Sequence, residues 1–355
     1  MKFPVVLALL VTATALRAQS PTVETKPAPP SAADLIDSLT ASELDEVLNL
    51  LREQFVKPEM LADLALKRAT VLGAITRLAP GAAILQAPAA GEAAASPFRS
   101  EVLDGRVAYV RLGDASTANL TELDAALASF STAKLNSLVL DLRATPRSAD
   151  FEPMAEVCRR FVPKGKVLFT VRKANVKQEQ VLTSKDDPKF TGIIVVLLDA
   201  TSAGTPEVIA AVLRTHVNAM IIGQQTRGEA VDFHNFPLAS GKLVRIAVAE
   251  VTLPDKTTVF PGGIKPDIAV EVSPETTEAV LKQGLEKGVA ELVFETERIR
   301  MNEAALVAGT NPELDAAQAA QKLKAEKKII LRDPVLQRAV DFITTLAVYN
   351  RRAAK

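Results

Sequence analysis

Between the apolar run GIIVVLLDA and an apolar-periodic helix lies a tight turn of small residues, TSAGTPE, residues 201–207. Strand, small-residue turn and helix is one way a chain presents a hydroxyl for attack. Thr201, Ser202 and Thr205 supply hydroxyls here, and Arg227 is a residue that could approach them in the fold. A hydroxyl needs a base, and imidazole is a sound one near neutral pH. His216 and His234 are the only histidines in the chain. The plainer reading makes Ser202 a turn residue and Thr205 the cap of the following helix, with Pro206 in its first turn. Both readings stay open at this point. Cys158 is the only cysteine, so the chain cannot form an internal disulfide. It lies in FEPMAEVCRRF on the buried face of an expected helix, which favours an inert core thiol over a nucleophile. Two histidines outside any HExxH pairing argue against a metal centre, and no cofactor is expected.

The 355 residues suffice for two domains, or for one large domain with helical additions, and at 48% apolar they can bury a sizeable core. Lysine plus arginine equal aspartate plus glutamate at 42 each, without a basic stripe, which argues against nucleic-acid binding. The first residues, MKFPVVLALLVTATALRAQS, pair an early lysine with an apolar run too short to span a bilayer. They read as a secretory signal over 1–19, which makes the mature protein exported, periplasmic or released, with no span after cleavage. A retained anchor is the competing reading. Residues 20–39 read as a proline-rich disordered linker. Residues 40–80 read as a helical region, opened by a Thr40/Glu43 capping box with Leu44, Val47, Leu48 and Leu51 on one face, and continued by a helix from about Met60 to Leu78. Residues 81–98 read as an alanine-rich linker.

From residue 99 to 273 short apolar strands alternate with amphipathic helices, which predicts an α/β core: a mixed, largely parallel sheet covered by helices. The stretch KLVRIAVAEVTLPDKTTV predicts a hairpin or two longer strands, with PDKT as the turn. Residues 274–355 form a charged helical extension. Its last helix has Asp333 at the cap, Pro334 in the first turn and Leu336, Ala339, Val340 and Ile343 on one stripe. That stripe needs a partner, either the N-terminal helices of its own chain or those of a second copy, so a homo-oligomer through the terminal helices is one arrangement.

Six segments in order resemble the C-terminal processing, or tail-specific, serine proteases. VAYVRLGDAS resembles the strand that opens that core, and LNSLVLDLRATP resembles its D-L-R-x-N-P segment. IIVVLLDATSAGTPEVIAAVL resembles the strand, nucleophile turn and helix, and IIGQQTRGEAV resembles the loop that carries the base. FPGGIKPDIAV resembles the G-I-x-P-D segment and LRDPVLQRAVDFI the terminal helix. The resemblance implies a tail-specific-protease or crotonase-like core with helical N- and C-terminal extensions. It also implies a PDZ module, for which residues 81–98 leave no room.

Carried over residue by residue, the resemblance puts Gly204 at the nucleophilic serine and Glu229 at the lysine base. Arg147 and Ser148 stand in the oxyanion segment, where the family has glycines, and Thr215 stands at an aspartate found in some members. A hydrogen side chain cannot attack a carbonyl, and a carboxylate would repel the developing oxyanion. One reading is therefore a pseudoenzyme that binds a peptide or an envelope protein partner, with Arg147 or Arg227 pairing Glu229 across the vacated cleft. The alternative is an active serine-type endopeptidase acting on polypeptide C-termini or unfolded chains through a relocated nucleophile, Ser202 or Thr205. A small-molecule-binding protein using the same cleft is a third.

Overall fold

The computed structural model describes residues 32–57, 62–86, 97–148, 150–173, 176–293 and 331–353. The signal reading over 1–19 lies outside them. Two compact units divide near Val71. The first holds α1 (Ala32–Asp37), α2 (Ala41–Gln54) and the start of α3 (Asp63–Leu78). The Thr40/Glu43 capping box forms as expected, Glu43 N–H donating to Thr40 Oγ1 and Thr40 N–H donating back to the carboxylate. One expectation needs correction. Helix begins at Ala32, inside the stretch expected to be disordered, because AADLID follows the last proline and is itself helix-competent. The stripe Leu44, Val47, Leu48 and Leu51 is exposed.

The first strand of the second unit is β1 (Ala82–Gln86), inside the expected linker. Alanine-rich composition masked it, yet Ala82–Gln86 pairs antiparallel with residues 242–246 in full register. After it come β2 (Arg99–Leu103), β3 (Val107–Arg111), α4 (Thr117–Thr132), β4 (Ser137–Asp141), α5 (Phe151–Arg159), β5 (Val167–Lys173), β6 (Gln180–Thr183) and β7 (Ile193–Leu198). Then follow α6 (Thr205–Val217), β8 (Met220–Gly223), β9 (Val231–Pro237), β10 (Lys242–Thr252), β11 (Ile268–Ala269), α7 (Pro274–Lys287) and α8 (Pro334–Ala353).

These strands form two sheets rather than one. The first has the order β11-β8-β7-β4-β3-β2, parallel except for edge strand β2. Successive side chains of a strand point to opposite faces. Leu138, Leu140, Ile194, Val196 and Leu198 therefore enter one core with α4, α5 and α6, while Val139, Val195 and Leu197 enter another with α7 and α8. The second sheet is antiparallel, β1-β10-β5-β6 with β9 on β10's other edge. KVLFTVRK thus belongs to a different sheet from the buried parallel strands. The PDKT turn forms, Leu253 N–H donating to Thr257 O at 2.9 Å, but β10's long partner is β9, with only the Thr252–Thr258 bridge beyond the turn.

Helix α8 packs its stripe on the parallel sheet of its own chain, with Leu336, Ala339 and Ile343 buried there. The stripe thus finds a partner in the sheet of its own core. A charged clasp fixes the start of the helix. Arg143 donates to both oxygens of Asp141 at 2.9 and 2.8 Å and to both of Asp333 at 3.0 and 2.6 Å. Asp333 Oδ1 also accepts the N–H groups of Val335 and Leu336, so one carboxylate caps α8 and ties it to the end of β4. Tyr109 adds its hydroxyl to Asp141 at 2.7 Å. Cys158 is buried on α5, and burial pushes its thiol far above the usual range, as an inert core cysteine requires.

Candidate functional site

β7 ends at Leu198, and Asp199 organises the turn after it. Its Oδ1 accepts from Thr201 N–H at 2.8 Å, Thr201 Oγ1 at 2.7 Å, Ser202 N–H at 2.9 Å and Ser202 Oγ at 3.1 Å. Asp199 N–H donates back to Ser202 Oγ at 3.1 Å. An aspartate that bonds the chain two and three residues on is a turn-former. Ser202 is buried, and its hydroxyl is spent inside the turn.

Gly204, not Thr205, is the N-cap of α6, with φ +69° and ψ −106°. Side chains rarely adopt that conformation, which is why glycine suits it. A Cβ there would lie 2.9 Å from Arg147 Cγ, so the stem of Arg147 occupies the space a side chain would use. Thr205 is the first residue of the helix, buried, and its Oγ1 accepts Ser148 N–H at 2.9 Å. Thr215 sits ten residues further along α6, about 15 Å at 1.5 Å per residue, and donates to Ala211 O at 2.9 Å.

A residue with no assigned role in the sequence holds these parts together. Glu207 is fully buried. Its Oε2 accepts Gly204 N–H and Glu229 N–H, both at 2.8 Å, and its Oε1 accepts Thr226 Oγ1 at 2.5 Å and Gly228 N–H at 2.6 Å. Four donors satisfy a carboxylate withdrawn from water, and they join the turn at 204 to the loop at 226–229. An acidic residue at the third helical position was the legible signal, since that position reaches back to the cap. Gly228 then passes against the 261–263 backbone, where a Cβ would meet Pro261 O at 2.1 Å.

Glu229 Oε2 accepts from Arg147 Nη1 at 2.8 Å and from Arg245 Nη2 at 3.3 Å. Both guanidiniums lie over Phe233, with Cζ 4.1 and 3.9 Å from the ring centroid, a cation–π geometry. The Glu229 partner is thus Arg147, joined by Arg245, which the sequence reading missed. The exposed Arg227 contributes its N–H to Ser202 O at 3.1 Å. Arg245 interrupts an apolar strand, KLVRIAVAE, and strand alternation with the β9–β10 register puts it on the face of Phe233. Side-chain exposures of 27% for Arg147, 17% for Glu229 and 25% for Arg245 make the cluster a half-open floor.

The two histidines are elsewhere. His216 lies in the last turn of α6, about 18 Å along the helix from Gly204. Burial lowers its pKa, and Nε2 is buried without a partner among the described residues. His234 is exposed on β9 against Phe236, with ring centroids 4.6 Å apart. Among the described residues, neither Ser202 nor Thr205 bonds an imidazole.

Residues 106–270 match Peptidase family S41. The chain is 30% identical over 178 residues to a carboxy-terminal-processing protease of Bartonella bacilliformis, covering 48% of this chain and 40% of that protein. It is 27% identical over 173 residues to the carboxy-terminal processing protease CtpA of Bacillus subtilis, covering 49% of this chain and 37% of that protein. The chain thus spans about two fifths of the length of these curated relatives. Among solved structures, a photosystem II D1 C-terminal processing protease aligns over 58% of this chain and 60% of its own, at 21% identity and a TM-score of 0.44.

Proposed function

Residues 106–270 of this chain belong to peptidase family S41, and on that premise we propose an exported protein that uses the protease scaffold to hold a polypeptide without cutting it. The observation that carries the reading is at Gly204. That position has no side-chain oxygen, and Arg147 Cγ stands where one would project. At the base position, Glu229 is engaged by two guanidiniums rather than by a nucleophile. Loss of a nucleophilic serine in a protease costs about a millionfold in turnover. The remaining acceleration comes from the oxyanion hole, and Ser148 N–H in that segment is committed to Thr205.

The test is direct. Purified chain incubated with fluorescent casein and with a fluorophosphonate probe yields neither fragments nor label. Reproducible cleavage abolished by Ser202→Ala or Thr205→Ala would establish the relocated-nucleophile endopeptidase instead. The Gly204→Ser, Glu229→Lys double variant tests the positional assignment, since a return of probe labelling identifies 204 and 229 as the nucleophile and base positions. Fractionation of cells producing the full chain tests export.

A further inference from the structure

We propose that Arg147 and Arg245, stacked on Phe233, form a receptor for a carboxylate carried on an extended polypeptide, with Glu229 as the resident carboxylate against which the ligand competes. This rests on the holding reading and gives it a ligand chemistry. Charge count comes first: two guanidiniums converge on one oxygen of one carboxylate, so the ion pairs at this point leave an excess positive charge. Burial lowers the pKa of Arg245, as happens when a guanidinium loses water that its counter-charge does not replace.

Donor supply points the same way. A guanidinium has five N–H groups, and Arg147 and Arg245 each give one to Glu229. Neither carries a nitrogen that is both buried and unpartnered, and each keeps about a quarter of its side chain in solvent, so the remaining donors are open to solvent. The backbone donors around them are committed. Gly204, Gly228 and Glu229 N–H go to Glu207, Ser148 N–H to Thr205, and Arg227 N–H to Ser202 O. What the cluster offers is planar charged forks, which suit a carboxylate, rather than neutral N–H groups, which suit a peptide carbonyl. The Phe233 ring holds both forks in place before a ligand arrives, which reduces the ordering cost of binding.

The geometry also favours a polypeptide as carrier. β9 leaves directly from Glu229, and its edge away from β10 has no strand partner among the described residues. His234 to Pro237 are exposed along it. An extended chain laid on that edge gains main-chain hydrogen bonds and runs towards the arginines.

The carboxylate has two sources, a chain end or an acidic side chain, and three dye-labelled decapeptides separate them by fluorescence anisotropy. One has a free C-terminus and no acidic residue, one is amidated with a central glutamate, and one is amidated and neutral. At least one carboxylate peptide binds the full chain about tenfold tighter than the neutral one, and whichever does identifies the source. Arg245→Met weakens that binding about tenfold. Glu229→Gln removes the competitor and tightens it about threefold or more, a gain that a misfolded variant cannot mimic. Equal or absent binding of all three peptides up to millimolar concentration overturns the assignment, as does unchanged affinity in both variants. Mass spectrometry of the same samples separates the premises: scission of the peptides overturns the holding reading, whereas arginine-independent binding overturns only this assignment.

Discussion

Substituting Gly204 by alanine tests whether the turn at 204 is built around the lack of a side chain. Two costs follow from the geometry. The first is backbone strain: φ +69° with ψ −106° is a conformation that costs a side-chain-bearing residue about 1–3 kcal/mol. The second is the approach of the new Cβ to Arg147 Cγ at 2.9 Å. The stem of Arg147 can shift, but its head is tied to Glu229 at 2.8 Å and stacked on Phe233 at 4.1 Å. The ion pair is partly exposed and is therefore given a surface value, so loosening pair and stack together costs about 0.5–1.5 kcal/mol. The sum is about 1.5–4.5 kcal/mol. The chain has no tryptophan, so far-UV circular dichroism across a urea series is the suitable readout, extrapolated linearly to water. Repeating the series with Arg147→Ala in both backgrounds isolates the second cost, because only the strain of about 1–3 kcal/mol persists without the arginine. A change within about 0.5 kcal/mol of wild type, the scatter of a neutral surface substitution, would refute the strain argument. An identical cost with and without Arg147 would refute the packing argument. A serine at 204 carries the same cost, so the Gly204→Ser variant should be less stable than the natural chain.

Three further outcomes follow from the buried charges and the thiol. Asp333→Ala strips the cap from α8 and leaves Arg143 with one carboxylate instead of two, a loss of about 3–5 kcal/mol; limited proteolysis should then release α8 first, while Asp333→Asn, which keeps the cap, costs less. At Asp141 burial alone would raise the pKa, but the charge and hydrogen bonds of Arg143, with help from Arg111 and Tyr109, outweigh it and hold the carboxyl well below its ordinary 3.8. A depressed folded value contributes stability that is complete above the unfolded pKa and is lost as the pH falls below it. Urea midpoints should therefore drop below about pH 4, and Asp141→Asn should flatten that acid limb. Cys158 should resist iodoacetamide at pH 8 in the folded chain and react fully in urea, since burial raises its pKa and hides its sulfur; labelling at equal rates in both states would contradict its place in the core.

How legible these features are in the sequence depends on whether their causes are local. The capping box at Thr40 was readable because both partners lie within four residues, and the strands SLVLD and IIVVLL were readable because unbroken apolar runs mark strands buried on both faces. Strand β1 was not, since AAILQ acquires its meaning only from pairing with residues 242–246, far along the chain. The division into two sheets was hidden for the same reason: KVLFTVRK and GIIVVLLD look alike, and only pairing partners separate them. At the site, the residue types at 204, 229 and 147 could be read by position, and the Arg147–Glu229 contact was one of two arrangements open in sequence. Arg245 could not be found, because its role depends on the β9–β10 register bringing it onto Phe233. Contacts across these elements explain why the residues at 204, 147, 229 and 245 belong together. With glycine at 204 the stem of Arg147 has room to cross the turn, and once across it needs an anion, which Glu229 supplies at the end of its reach. A second guanidinium on the same ring then exceeds what one carboxylate neutralises. A site selected only to be closed would have needed one arginine, and the surplus charge is the feature that a closed structural clasp leaves unexplained.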